Sequence, residues 1–133
     1  MHISAGIMAV HRFSNTTPWL SVNENYRQIN IAKQEQDPDS VLHYFRKMIG
    51  LRKAHLALVY GRFDLVDEDN PQLFAYTRML GDESYLVVLN FSHRTAILDA
   101  DVDTERSQIL IGNYDTNHLN HSYRPYEAVI YKL

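Results

Sequence analysis

At 133 residues, 45% hydrophobic and net charge −3, the chain is long enough to bury a core as one ordinary domain and lacks the basic excess of a nucleic-acid binder. No block of like charges suits an anionic membrane surface, no apolar run approaches the roughly 18 residues that span a bilayer, and the lack of Cys excludes disulfides, thiolate metal sites and a cysteine nucleophile. Neither nucleic acid nor membrane is expected as a partner, and the start Met1-His2-Ile3-Ser4, without a basic region or h-region, points to a cytoplasmic protein.

Residues 1–36 show no sustained period, and the turn formers Ser14-Asn15-Thr16-Thr17-Pro18 precede scattered Trp19, Leu20, Val22, Tyr26, Ile29 and Ile31. This predicts a loop-rich, irregular arm. A helix is predicted over residues 37–56. Asp37 can cap it, Pro38 suits its first position, and Asp39 meets the positive dipole end. Val41, Leu42, Tyr44, Phe45, Met48, Ile49 and Leu51 then recur at helical spacing, with Arg46, Lys47, Arg52 and Lys53 on the polar side. His43 and His55 read as helix-surface residues.

Residues 57–133 read as a β-domain in which, after Gly61, the period changes to two and β-branched and aromatic residues fill short runs between turn signals. Strands are predicted at Arg62 to Val66, Leu73 to Met79, Tyr85 to Phe91, Ala96 to Ala100, Ser107 to Ile111 and Ala128 to Leu133. The connections are too short for parallel crossovers, so the fold class is mainly β, an antiparallel β-sandwich preceded by one long helix.

Candidate chemistry is sparse. Asp64, Asp67, Glu68 and Asp69 cluster, but at a strand end leading to Pro71 and without the turning Gly of a calcium loop, so they read as a solvated turn. Asp115, His118 and His121 are zinc-type donors in an Asn-rich loop that does not hold them at ligand spacing. Nine Tyr, five Phe and Trp19 could build a sugar-stacking platform, yet Phe74 and Tyr76 share a strand face and Tyr85 starts another strand, as core residues do. No catalytic, cofactor-binding or metal-ligating residue is assigned, and no cofactor is expected.

The run from Thr17 to Ile31, Thr-Pro-Trp-Leu-Ser-Val-Asn-Glu-Asn-Tyr-Arg-Gln-Ile-Asn-Ile, resembles the α-amylase superfamily, glycoside hydrolase family 13, of the oligo-1,6-glucosidase and trehalose-6-phosphate hydrolase type. The resemblance continues through Asp39-Ser40-Val41, Ile49 to His55, Val59-Tyr60-Gly61, Phe74 to Arg78, Val87 to Ser92, Gly112-Asn113-Tyr114 and Arg124 to Val129. Residues 1–16 match poorly, with Phe13-Ser14-Asn15-Thr16 in place of the family's Phe-Thr-x-Gly.

The resemblance implies the last helix of a (β/α)8 barrel followed by the C-terminal β-domain of an α-glucosidase, a non-catalytic part that braces the barrel. It also implies a nucleophilic Asp, an acid/base Glu and a stabilising Asp at the ends of earlier barrel strands, and no residue here matches those motifs. A carbohydrate-binding module and a subunit that complements a separately encoded catalytic barrel are the competing readings. The first is tested by whether Tyr114, Tyr123 and Tyr126 lie on the surface, the second by co-purification with a barrel chain. The wide apolar face of the helix over residues 38–55 needs a partner: its own sandwich, a second copy in a homodimer, or a catalytic barrel chain.

Overall fold

The computed structural model describes residues 19–21, 23–115 and 121–133. They fall into two compact units, one ending at Lys47 and the other running from Met48 to Leu133.

In the first unit, the arm expected to be irregular through residue 36 contains a helix, α1 (Ile31–Gln36). Asn30 caps it by accepting a hydrogen bond from Lys33 N–H at 3.0 Å while its own amide donates to the Tyr26 carbonyl, also at 3.0 Å. Pro38 ends it, because the residue before a proline is pushed out of the helical region; Asp37 takes φ −104 and ψ 107.

The long helix, α2 (Val41–Ala54), starts at Val41 rather than at Asp37. Asp37 accepts from Asp39 N–H at 3.0 Å through its side chain and from Ser40 N–H at 3.1 Å through its carbonyl, so Pro38 and Asp39 lie in a turn outside the helix. Ser40 is the cap in its place, its hydroxyl accepting from His43 N–H, while Gln34 Oε1 accepts from Leu42 N–H. His43 is not a free surface residue: its Nδ1 donates to the Gln34 carbonyl at 3.0 Å. No residue of α2 is buried, and Val41 and Phe45 on its apolar face are 80% and 61% exposed.

The second unit opens its β-domain with a single helical turn, α3 (Ala57–Tyr60), where no helix was expected beyond residue 56. Seven strands follow among the described residues: β1 (Arg62–Val66), β2 (Leu73–Leu80), β3 (Glu83–Asn90), β4 (Ala96–Ile97), β5 (Gln108–Gly112), β6 (Ser122–Tyr123) and β7 (Ala128–Lys132). Five form one antiparallel sheet in the order β1-β2-β3-β7-β5, and β4 pairs with β6 in a second, smaller one. The β2–β3 hairpin closes tightly, with Leu80 opposite Glu83 and Gly81 at φ +58, a value that costs a glycine nothing.

The core lies between the two sheets. Leu73, Ala75, Leu86, Val88, Val129 and Tyr131 of the large sheet pack with Ala96, Leu98 and Tyr123 from the small sheet and its flank, giving the expected mainly β, two-layer architecture. The predicted strand from Ala96 to Ala100 is cut to two residues. Its partner β6 is equally short, and Leu98 instead turns into the core with its N–H donating to the His121 carbonyl. Leu110 is left unpaired in a bulge between β5 and β7, because Ile109 faces Tyr131 and Ile111 faces Ile130.

Candidate functional site

The best-built polar constellation in the β-domain is the junction where the helical segment meets the large sheet. In an antiparallel sheet, residues directly opposite share a face, so the register puts Phe63, Arg78 and Tyr85 side by side on the face away from the core. Arg78 reaches from there to α3, its guanidinium donating to the carbonyls of Val59 at 2.8 Å and Ala57 at 3.3 Å. The Ala57 carbonyl already accepts from Gly61 N–H at 2.9 Å, so the cation adds a second donor there and sits at the negative end of the helical turn.

One position along, the Tyr85 hydroxyl shares a 2.8 Å hydrogen bond with His55 Nδ1, and the two rings lie 5.3 Å apart. His55 is thus a connector, not the helix-surface residue expected from the sequence. Burial first, and then the Glu83 carboxylate, push the Tyr85 phenol above its ordinary range. Gly61 lets the backbones meet: a Cβ there would press on the Ala57 carbonyl and come within 2.9 Å of the Met79 carbonyl. Ala57 is fully buried at this contact.

Exposed apolar surface flanks the junction. On the sheet, Phe63, Tyr76 and Phe74 form a row with ring centroids 4.9 and 5.4 Å apart. Phe74 is 41% exposed and Tyr76 half-buried, so the expectation that they pack in the core is corrected: strand alternation sends Leu73 and Ala75 inward and these rings outward. Along the helical segment, Ile49, Arg52, Lys53, Leu56, Val59 and Tyr60 line an open groove of about 440 Å³. Within the first unit, Ile31, Gln34, Val41, Leu42 and Phe45 line a smaller hollow of about 230 Å³.

The remaining candidates are dispersed. Asp64 pairs with Arg62 at 2.6 Å, and Glu68 and Asp69 face solvent. Asp67, at φ +52, ties a loop: its carboxylate accepts from the Asn70 amide at 2.6 Å and from Asp99 N–H at 3.0 Å. His118 lies outside the described residues. His121 donates through Nε2 to the Val102 carbonyl at 2.8 Å. Among the described residues, no group of three or more His, Asp or Glu could hold a metal ion.

The three tyrosines meant to test sugar binding separate. Tyr123 is fully buried and shares a 3.2 Å hydrogen bond with Tyr131, while Tyr114 and Tyr126 are exposed. Tyr114 is committed, with Arg124 lying 4.0 Å from its ring centre and its hydroxyl donating to the Pro125 carbonyl. Arg124 is itself held by buried Glu127, which accepts from its backbone N–H at 2.7 Å and from its guanidinium at 2.6 Å.

The family model described as "Alpha amylase, catalytic domain" matches residues 8–61, and that described as "Maltogenic Amylase, C-terminal domain" matches residues 63–129. The changeover falls at Gly61 and Arg62, on the helix–sheet junction. The oligo-1,6-glucosidase of Parageobacillus thermoglucosidasius is 42% identical over 127 residues, covering 91% of this chain but 23% of the relative. Trehalose-6-phosphate hydrolase of Bacillus subtilis is 32% identical over the same share of each.

Among solved structures, isomaltulose synthase of Erwinia rhapontici superposes with a TM-score of 0.77 at 38% identity, over 91% of this chain and 22% of that one. Trehalose-6-phosphate hydrolase of Bacillus licheniformis gives 0.79 at 32%, over 90% and 23%. The chain spans less than a quarter of the length of these proteins. No described helix is long and apolar enough to cross a membrane. With more than half of its residues matched to one family model and the segment before them to the adjoining catalytic domain, the chain belongs to the α-amylase superfamily of glycoside hydrolases, carrying part of the catalytic domain and the C-terminal β-domain.

Proposed function

We propose that the chain is the non-catalytic end of an α-glucosidase of the oligo-1,6-glucosidase type, and that its β-domain braces the catalytic barrel through the helix–sheet junction. One observation carries the reading. The contact of Arg78 with the Val59 and Ala57 carbonyls joins the segment matched to the catalytic domain to the segment matched to the C-terminal domain, at the point where the two matches meet. Hydrolysis of α-glucosidic linkages belongs to the whole enzyme, because a retaining glycosidase needs two carboxylates about 5 Å apart across the scissile bond and the sequence holds no match to the family's catalytic motifs. A cytoplasmic location is part of the same proposal.

A chimera tests it: this chain replaces the matching stretch of the Parageobacillus oligo-1,6-glucosidase. The chimera is expected to hydrolyse isomaltose or an aryl α-glucoside while the 133-residue chain alone does not. Turnover by the purified chain that is lost on mutating one of its own acidic residues would overturn the reading. Sugar binding by the β-domain is less well supported, since the Phe63, Tyr76 and Phe74 rings are tilted by 35° and 52° and offer no flat platform for a pyranose.

A further inference from the structure

The large sheet has two faces with different partners. Its inner face is covered by the small sheet. Its outer face receives α3 and His55 at Arg78 and Tyr85, and the same face continues across β2 and β1 as Phe74, Tyr76, Phe63 and Leu65, where the contacts among the described residues give no comparable cover. Phe63 and Leu65 are 45% and 47% exposed, though an edge strand in water is normally kept polar on its open side.

We infer that this aromatic row is a docking surface for the part of the catalytic domain that lies outside this chain, and that the brace extends from the junction across the outer face to the sheet edge at β1. Two observations choose that occupant. The row is continuous with a contact already made on the same face by α3, a segment matched to the catalytic domain. In addition, the chain spans 23% of its oligo-1,6-glucosidase relative, so most of a catalytic domain exists there to cover it. The inference rests on the functional reading above, yet it can fail separately.

Hydroxyl-radical footprinting compares the free chain with the chimera, reading Phe63, Phe74 and Tyr76 against Tyr126 as an exposed control in the β6–β7 connection. At least fivefold protection of the three rings in the chimera, with Tyr126 unchanged, is expected. A Phe63→Ser/Phe74→Ser chimera should lose thermal stability, while Ile97→Ser, at an exposed site on the small sheet, should not. An active chimera with unprotected rings overturns the docking surface and leaves the functional reading intact. Protected rings in an inactive chimera support the surface and count against the hydrolase reading. Protection of the same rings in the free chain by maltotriose or isomaltotriose would make the row a sugar site and overturn the inference.

Discussion

The hydroxyl of Tyr85, on the central strand of the large sheet, β3, shares its hydrogen bond with His55, the residue that follows α2 in the chain. The helix end is therefore tied to a fully buried ring. Tyr85→Phe removes the bond and keeps the packing, so it should cost about 0.5–1.5 kcal/mol. Hydrogen exchange should quicken at the amides of α3 more than at those of β7. Equal quickening everywhere would show that the bond serves the whole domain and not the junction.

Gly61 is required by close approach and not by its backbone angle, which is an ordinary φ of −64. The atoms that a Cβ would strike are backbone carbonyls, which cannot turn aside. Gly61→Ala should therefore destabilise the β-domain by about 1–3 kcal/mol, seen as a lower urea midpoint with an unchanged slope. Gly50→Ala is the control. Nothing lies within 4 Å of the Cβ it would add, and in mid-helix it should be neutral or stabilising.

Glu127 is 2% exposed and fixes the turn that leads into β7, where Tyr126 adopts φ +56. Removing the carboxylate strands the Arg124 guanidinium against the sheet end. Glu127→Ala should cost about 1–3 kcal/mol, since the Arg124 left behind is partly exposed, and it should free Tyr114 from its cation, giving a change in near-ultraviolet circular dichroism. An unaltered spectrum would mean that Tyr114 is held by its hydroxyl bond alone.

Alkaline pH should unfold the β-domain cooperatively. Burial raises the phenols of Tyr85, Tyr123 and Tyr131 above their ordinary value; for Tyr85 the Glu83 charge adds to it, whereas for Tyr131 the bond from Tyr123 pulls the other way. A raised pKa means that the unfolded chain releases protons first. The stability from these groups is complete below about pH 10 and declines as pH rises beyond it. Absorbance of tyrosinate should show exposed tyrosines titrating early and the three buried ones appearing only with loss of the sheet signal.

Without the rest of a catalytic domain, Val41 and Phe45 have water as their neighbour, and each such side chain gains about 1.5–3 kcal/mol on full burial. The 133-residue chain should self-associate at micromolar concentration, with Phe45→Glu weakening the association and leaving the sheet signal unchanged. Sedimentation showing one monomeric species for both proteins would refute it.

The large sheet was legible because β-branched and aromatic residues fill its strands between turn signals: β1 coincides with the predicted Arg62 to Val66. Two-residue strands have no period to read, which hid β6, and α3, a single turn, is too short to repeat the helical period. The cap of α2 was misplaced because Asp37 and Ser40 both suit the role, and a contact from Gln34 decides between them. The junction was missed for a related reason. Arg78, His55 and Tyr85 meet across 19 to 30 residues of sequence, and pairing at that separation leaves no local pattern. Which face the aromatic strand residues would take was also open, since alternation gives two faces and only the second layer says which is inside.

Strand order has a bearing on how the protein is made. β7 lies between β3 and β5, so the last of the described strands in chain order is an interior strand of the sheet and, among the described residues, the sole sheet partner of β5. During translation the β1–β2–β3 meander can form early, but its β3 edge stays open and β5 stays unpaired until residue 132 has left the ribosome. Folding of this domain is thereby deferred until β7 has emerged, and a nascent chain stalled before Ala128 exposes an unfilled strand slot to chaperones and proteases.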